Sequence, residues 1–159
     1  MTICDMKWFE EPFADAHVLA LKRLAADIRT PVLAAETVGL FELPHYLTEG
    51  AVDMVRGDVH YKGGVTGLMK ALALCEVLGF ELEIHTAATP LLDVANLHVG
   101  CATRSSRFLE GHHPMFRFGL MDDPLRVHAD GCQHVPTGPG LGVTLDWDWI
   151  DRHTVAEID

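Results

Sequence analysis

The sequence predicts an α/β fold built around a parallel sheet, and three observations carry that expectation. Short apolar runs alternate with amphipathic segments, Pro and Gly punctuate the junctions, and an acid or a histidine stands where five of the runs end. This is the pattern of βα units, in which each helix returns the chain to start the next parallel strand. The run KWF leads into Glu10. Asp15 is then placed to cap a helix whose Val18, Leu21, Leu24, Ala25 and Ile28 form one buried stripe, ending before Pro31. PVLAAE, from Pro31 to Glu36, reads as a short buried strand, a second helix follows over about Leu40 to Glu49, and AVDMV from Ala51 to Val55 is the next strand. The clearest helix runs from Gly64 to Leu78, with Val65, Leu68, Met69, Leu72, Cys75 and Leu78 on one face and Gly79 placed to stop it. Phe80 to Ile84 is a further strand, Leu91 to Thr103 a helix, and Arg107 to Leu109 a last short strand.

The 159 residues, 48% hydrophobic and 22% charged, are one domain's worth of chain and can bury a core, which excludes a mainly disordered state. Twelve Lys and Arg against 23 Asp and Glu leave a formal charge of −11. That charge repels phosphate backbones and anionic headgroups, so no nucleic-acid or membrane partner is expected. No apolar run reaches the ~20 residues that span a bilayer. MTICDMKWFEEP has neither the basic flank nor the apolar stretch of a secretion signal, so a cytoplasmic location is expected. Cys4, Cys75, Cys101 and Cys132 form no CxxC pair and read as buried free thiols.

What stands at the strand ends raises this above a generic α/β domain. Glu10, Glu36, Asp58, His85 and Glu110 follow one another at intervals of 26, 22, 27 and 25 residues, each about one βα unit. In a βα barrel the C-terminal strand ends converge on one mouth, so the five side chains can share a site. Four acids and an imidazole gathered there repel unless a cation or protons intervene, and a hard divalent ion such as magnesium meets that need. Each residue alone also admits a plainer role: Glu10 in a solvated loop, Glu36 as a helix cap, Asp58 in an Asx turn, His85 held by backbone, Glu110 as a strand terminator. Their common register favours the shared site.

Six segments make the sequence recognisable: WFEEP (Trp8 to Pro12), PVLAAET (Pro31 to Thr37), AVDMVRGDVHYKGGVTG (Ala51 to Gly67), EIHTA (Glu83 to Ala87), FLE (Phe108 to Glu110) and GPGLGVTLD (Gly138 to Asp146). Together they resemble the enolase superfamily over nearly the whole chain. Within it the sequence is most similar to the mandelate racemase subgroup, since Asp58 stands where the muconate-lactonizing and dipeptide-epimerase group would place a lysine. The resemblance implies the C-terminal part of a (β/α)7β TIM-like barrel, without the N-terminal capping domain and early barrel strands. Glu10 and Glu36 become magnesium carboxylates, Asp58 and His85 an acid/base dyad, and Glu110 the acid facing the substrate carboxylate. The implied chemistry is removal of a proton α to a carboxylate, most simply the dehydration of an acid sugar to a 2-keto-3-deoxy acid. Racemisation of a 2-hydroxy acid is the variant reaction.

The departures from the family pattern shape the remaining expectations. The first magnesium Asp and the basic KxK-type pair of earlier barrel strands have no counterpart here, and a whole barrel takes ~250 residues. Residues 1–111 are expected to form the partial barrel, about strands 4 to 8, and residues 112–159 a C-terminal segment that packs toward the capping domain in the family and is partly loose without it. Open sheet edges call for a cover: a second copy in a homo-oligomer, a complementary N-terminal half, or the missing segment of a longer parent chain. A non-catalytic remnant or structural subunit is the competing function. His112 and His113 read as loop residues, Lys62 beside two glycines lacks phosphate-loop spacing, GPGLG reads as a turn, and LDWDWID as a packed strand or turn with Trp147 and Trp149 on one side.

Overall fold

The computed structural model describes residues 5–86, 89–111 and 117–156. Four parallel strands lie side by side in sequence order, β1 (Phe9–Glu10), β2 (Val32–Ala34), β3 (Met54–Gly57) and β4 (Glu81–Ile84). The register pairs Glu10 with Leu33, Ala34 with Val55, and Gly57 with Ile84, and an isolated parallel bridge joins Ile84 to Leu109. Helices α1 (Val18–Asp27), α2 (Leu43–Glu49) and α3 (Gly64–Leu78) connect the strands, and α4 (Pro90–Ala102) follows β4. This is the expected α/β architecture of a partial βα barrel. Among the described residues no helix is long and apolar enough to cross a membrane.

Alternation along the strands sorts the two faces of the sheet. Val32, Ala34, Val55, Leu82 and Ile84 join Leu21, Leu43, Leu68, Leu72 and Cys75 in the main core under the helices. Arg56 and Glu83, at alternate positions on β3 and β4, are buried as well, but outside that apolar cluster. A smaller core packs Leu120 and Leu125 of the C-terminal segment on Val94 and Leu97 of α4.

Several element boundaries differ from expectation for identifiable reasons. Asp15 does not cap α1, whose N-cap is His17; its buried carboxylate instead accepts hydrogen bonds from the Ala35 and Thr37 amides and the Thr37 hydroxyl. Strand β2 ends at Ala34 because Ala35 takes φ +73° and turns the chain. β3 starts at Met54, and Asp53 before it accepts from the Val32 amide. Helix α3 matches expectation and stops at left-handed Gly79, but its buried stripe is Gly67, Leu68, Ala71, Leu72 and Cys75, with Val65, Met69 and Leu78 exposed. The expected strand over Arg107–Leu109 is reduced to the Leu109 bridge, because the Arg107 and Phe108 amides donate to buried Glu83.

Of the LDWDWID stretch, Leu145 forms an antiparallel bridge with Leu120, and the rest opens a helix, α5 (Trp147–His153), capped by Asp146, whose side chain accepts from the Trp149 amide. Two positions apart on a helix, the tryptophans cannot share a face: Trp147 is exposed, while Trp149 stacks on Phe118 and His153. GPGLG is a turn as expected. Of the thiols, Cys75 is buried, with its pKa pushed to about 12 by burial, whereas Cys101 and Cys132 are exposed and free. Cys4, His112 and His113 lie outside the described residues.

Candidate active site

The five strand-end residues meet at one end of the sheet. Asp58 and His85 directly follow β3 and β4, and the His85 amide donates to the Gly57 carbonyl, which aligns the two ends. Asn96 of α4 ties them a second time: its Oδ1 accepts from the Val59 amide and its Nδ2 donates to the His85 carbonyl. His85 Nδ1 consequently lies 3.0 Å from Asp58 Oδ2 and 3.5 Å from Glu36 Oε1, and its Nε2 lies 3.8 Å from Glu110 Oε2. Asp58 serves the Asx turn as well, since its other oxygen accepts from the Tyr61 amide.

Glu10 enters this group through a residue that sequence reasoning missed. The buried Arg56 guanidinium stands between two acids, with Nε 3.0 Å from Glu10 Oε1 and Nη2 in close contact with Glu110 Oε1. The Glu10 contact is ionic in character, because Arg56 Nε makes no aligned hydrogen bond. The second Glu10 oxygen accepts from the Trp8 indole, and the second Glu110 oxygen from the Thr86 amide. Arg56 thus supplies part of the positive charge that four converging acids require. Its signal in the sequence was a lone basic residue at an inward position of an apolar strand.

Electrostatics sets the protonation of the centre. Burial opposes the charge on His85, but the hydrogen bond to Asp58 and the charges of Glu36, Glu110 and Asp58 outweigh it and raise the imidazole pKa. Burial pushes Asp58 upward, yet the His85 and Tyr61 hydrogen bonds and the charges of His85 and Lys62 hold it below the usual carboxylate range. Burial raises Glu36, against the lowering charges of His85 and Arg56 and together with the raising charges of Asp58 and Glu110. Glu11, next to Glu10, is pushed up to about 7, chiefly by burial, and its Oε1 accepts from the Glu36 amide.

Among the described residues, Glu36, Asp58 and His85 form a group whose ligand atoms all lie within 4.8 Å of one another, which suits a divalent cation. The Glu36 carboxylate accepts no hydrogen bond from the described residues, so its oxygens retain acceptor capacity. Glu10 stands apart from this group, against Arg56. The Glu36–Asp58–His85 cluster lines a cavity of about 270 Å³ together with His60, Tyr61 and Leu92.

Parallel βα units with acids and an imidazole gathered at their C-terminal ends define a barrel-type α/β domain of the kind that carries acid/base chemistry at the strand mouth. The chain belongs to the enolase C-terminal domain-like family, whose profile matches residues 2–149. It is 31% identical to arabinonate dehydratase of Saccharolobus solfataricus over 142 residues, covering 87% of this chain and 37% of that enzyme. With D-gluconate dehydratase of Thermoproteus tenax the identity is 34% over 115 residues, 70% of this chain and 23% of the enzyme. A solved candidate mandelate racemase/muconate lactonizing enzyme from Pseudovibrio sp. superposes with a TM-score of 0.87 at 31% identity, over 94% of this chain and 41% of that one. D-glucarate dehydratase from Agrobacterium tumefaciens, solved with magnesium, gives 0.80 at 30% identity, over 93% and 40%. The chain therefore spans about two fifths or less of the length of these relatives.

Proposed function

We propose that this chain contributes the acid/base dyad and metal carboxylates of a magnesium-dependent acid-sugar dehydratase. The observation that carries the proposal is the His85–Asp58 pair, with Nδ1 and Oδ2 3.0 Å apart at adjacent strand ends, beside a Glu36 carboxylate with acceptor capacity to spare. The dehydratases among the relatives, and the magnesium in one solved neighbour, support the same reading.

In this reading His85 moves the proton. As the neutral imidazole it takes the hydrogen on the carbon α to the substrate carboxylate, and as the imidazolium it returns a proton to the hydroxide leaving the β carbon. One water departs, and the enol left behind tautomerises to the 2-keto-3-deoxy acid. Asp58 fixes the Nδ1–H tautomer and stabilises the imidazolium, leaving Nε2 for substrate. Glu110, held by Arg56 and Thr86, faces the substrate carboxylate near His85 Nε2. Glu36, and Glu10 once its carboxylate exchanges Arg56 for the ion, are the residues that would hold magnesium, which when bound would stabilise the negative charge that develops as the α proton leaves.

In the same reading residues 1–111 serve as the partial barrel and 112–159 as the C-terminal segment, of which Leu120 and Leu125 pack on α4, in a cytoplasmic protein whose Cys75, Cys101 and Cys132 are free thiols. The remaining barrel surface is supplied by another copy, by a complementary half, or by a further segment of a longer parent chain. Exposed Phe9 on edge strand β1, together with exposed Met6 and Phe108, supports such a cover.

The test is turnover of a panel of aldonic and aldaric acids by the assembled protein with magnesium, read as 2-keto-3-deoxy product. His85→Asn should abolish product formation, while magnesium, held in this reading by the Glu36 and Glu10 carboxylates and not by the imidazole, should still bind. Unchanged turnover in the variant would move the proton carrier elsewhere, and no turnover across the panel would favour a structural subunit.

A further inference from the structure

Lys62 is among the most buried side chains of the molecule, and the dyad chemistry gives it no role. Its Nζ donates to the carbonyls of Ala35 (2.8 Å), Glu36 (2.8 Å) and Val38 (2.7 Å). The amides of the same loop are held from the other side, Ala35 and Thr37 by Asp15 and Glu36 by Glu11. The loop that presents the Glu36 carboxylate is thus gripped through its N–H groups by two acids and through its C=O groups by one ammonium. Ala35 needs such a grip, since φ +73° is costly for a residue with a Cβ.

Two further features show that the site is built around the ammonium. Lys62 ends the turn that Asp58 opens, with its own amide donating to the Asp58 carbonyl, so the clamp is anchored at the dyad. Gly57 supplies the room: a Cβ there would lie 2.7 Å from Lys62 Cε. A buried ammonium with all three hydrogens satisfied by backbone is neither a nucleophile nor a free base, and its use is to hold shape.

We propose that Lys62, seated in the space left by Gly57, is a positioning residue that fixes the 35–38 loop and thereby sets the Glu36 carboxylate against Asp58 and His85. The proposal deepens the metal-site reading and rests on it only for the consequence that Glu36 is then placed for a cation. The clamp itself is a property of the metal-free chain.

The experiment compares the wild-type chain with Lys62→Met, which keeps the stem and removes the charge, and with Gly57→Ala, which displaces the ammonium while keeping it. Amide hydrogen exchange, the His85 ring NMR signals at one fixed pH, and Mn2+ binding followed by electron paramagnetic resonance are the readouts. Both variants should speed exchange at Ala35, Glu36 and Thr37 at least ten-fold, with less than two-fold change at Val55 and Leu82, should shift the His85 ring signals, and should weaken Mn2+ binding at least five-fold. Uniformly faster exchange, an unchanged loop, or a loosened loop with unmoved His85 signals would overturn the proposal. If the wild-type chain binds no Mn2+, the metal reading fails, and the exchange pattern and ring signals alone decide the role of Lys62.

Discussion

Asp58 Oδ2 and His85 Nδ1 lie 3.0 Å apart across 27 positions of sequence, and the register of β3 with β4 brings them together. Gly57 pairs with Ile84, so the next residue of each strand emerges at the same height on the same edge. A rigid ladder therefore sets the dyad distance, with Asn96 bracing it from α4.

Asp58→Asn should lower the His85 pKa. Burial, which disfavours the imidazolium, persists in the variant, while the charged acceptor that offsets it is gone. Because the folded-state pKa of His85 is raised, the pair contributes stability below the unfolded value of about 6.5, and that contribution is lost as pH rises through the folded value. The variant should thus lose about 1–2 kcal/mol at pH 6 and less at pH 9. NMR titration of the ring and urea unfolding at both pH values check the two parts.

Arg56→Gln should destabilise the fold while freeing Glu10. Removing one partner of a buried ion pair costs about 3–5 kcal/mol when the other charge is left dry. Glu10 and Glu110 are about a third exposed and can rehydrate, so the expected loss is smaller, about 2 kcal/mol. The wild-type chain should bind magnesium weakly, and the variant more tightly, as the Glu10 carboxylate exchanges a guanidinium for the ion. Calorimetric titration with MgCl2 measures both, and an unchanged affinity would show that Arg56 and the ion do not compete.

Glu11→Gln should stabilise the protein at alkaline pH. A carboxyl raised to about 7 by burial takes up protons on folding, so its ionised form costs stability progressively from the unfolded value near 4.5 up to about 7. The amide oxygen can still accept from Glu36 N–H. With the partial exposure of Glu11 discounted, the gain should be about 1 kcal/mol at pH 8 and near zero at pH 4. Thermal melts at the two pH values test the sign.

Gly67→Ala should destabilise the protein although alanine favours helix by about 1 kcal/mol over glycine. A Cβ at Gly67 of α3 would collide with the backbone carbonyl of Lys62, which cannot move without disturbing the turn after Asp58. Overpacking against backbone should outweigh propensity and leave a net loss of about 2 kcal/mol or more, measured as a lower urea midpoint.

The order of elements and the position of the candidate site were legible in the sequence, because both depend on local pattern. Apolar runs and helical periodicity mark βα units, and a parallel sheet built from such units carries its strand ends to one side regardless of detail. Helix α3 was readable almost to the residue because Gly64 and Gly79 bracket it, and Glu10, Glu36, Asp58, His85 and Glu110 stood out because each closes a run or, for Asp58, lies just beyond one. The same local logic misplaced Asp15 as a cap and turned α5 into a strand or turn, since a capping signal and a tryptophan-rich stretch do not say which neighbour will claim them.

Tertiary structure alone decided who partners whom. Nothing near Arg56 in the sequence announces that its guanidinium will stand between Glu10 and Glu110, 46 positions back and 54 ahead. Likewise, nothing near Lys62 shows that its ammonium will fill the gap beside Gly57 and take three carbonyls of another strand's loop. Sequence determines which groups arrive at the strand mouth, since that follows from spacing along one chain. Which of them pair, and so which acids remain available to a cation, depends on desolvation and charge balance among groups from several strands, and those arise only when the strands have come together.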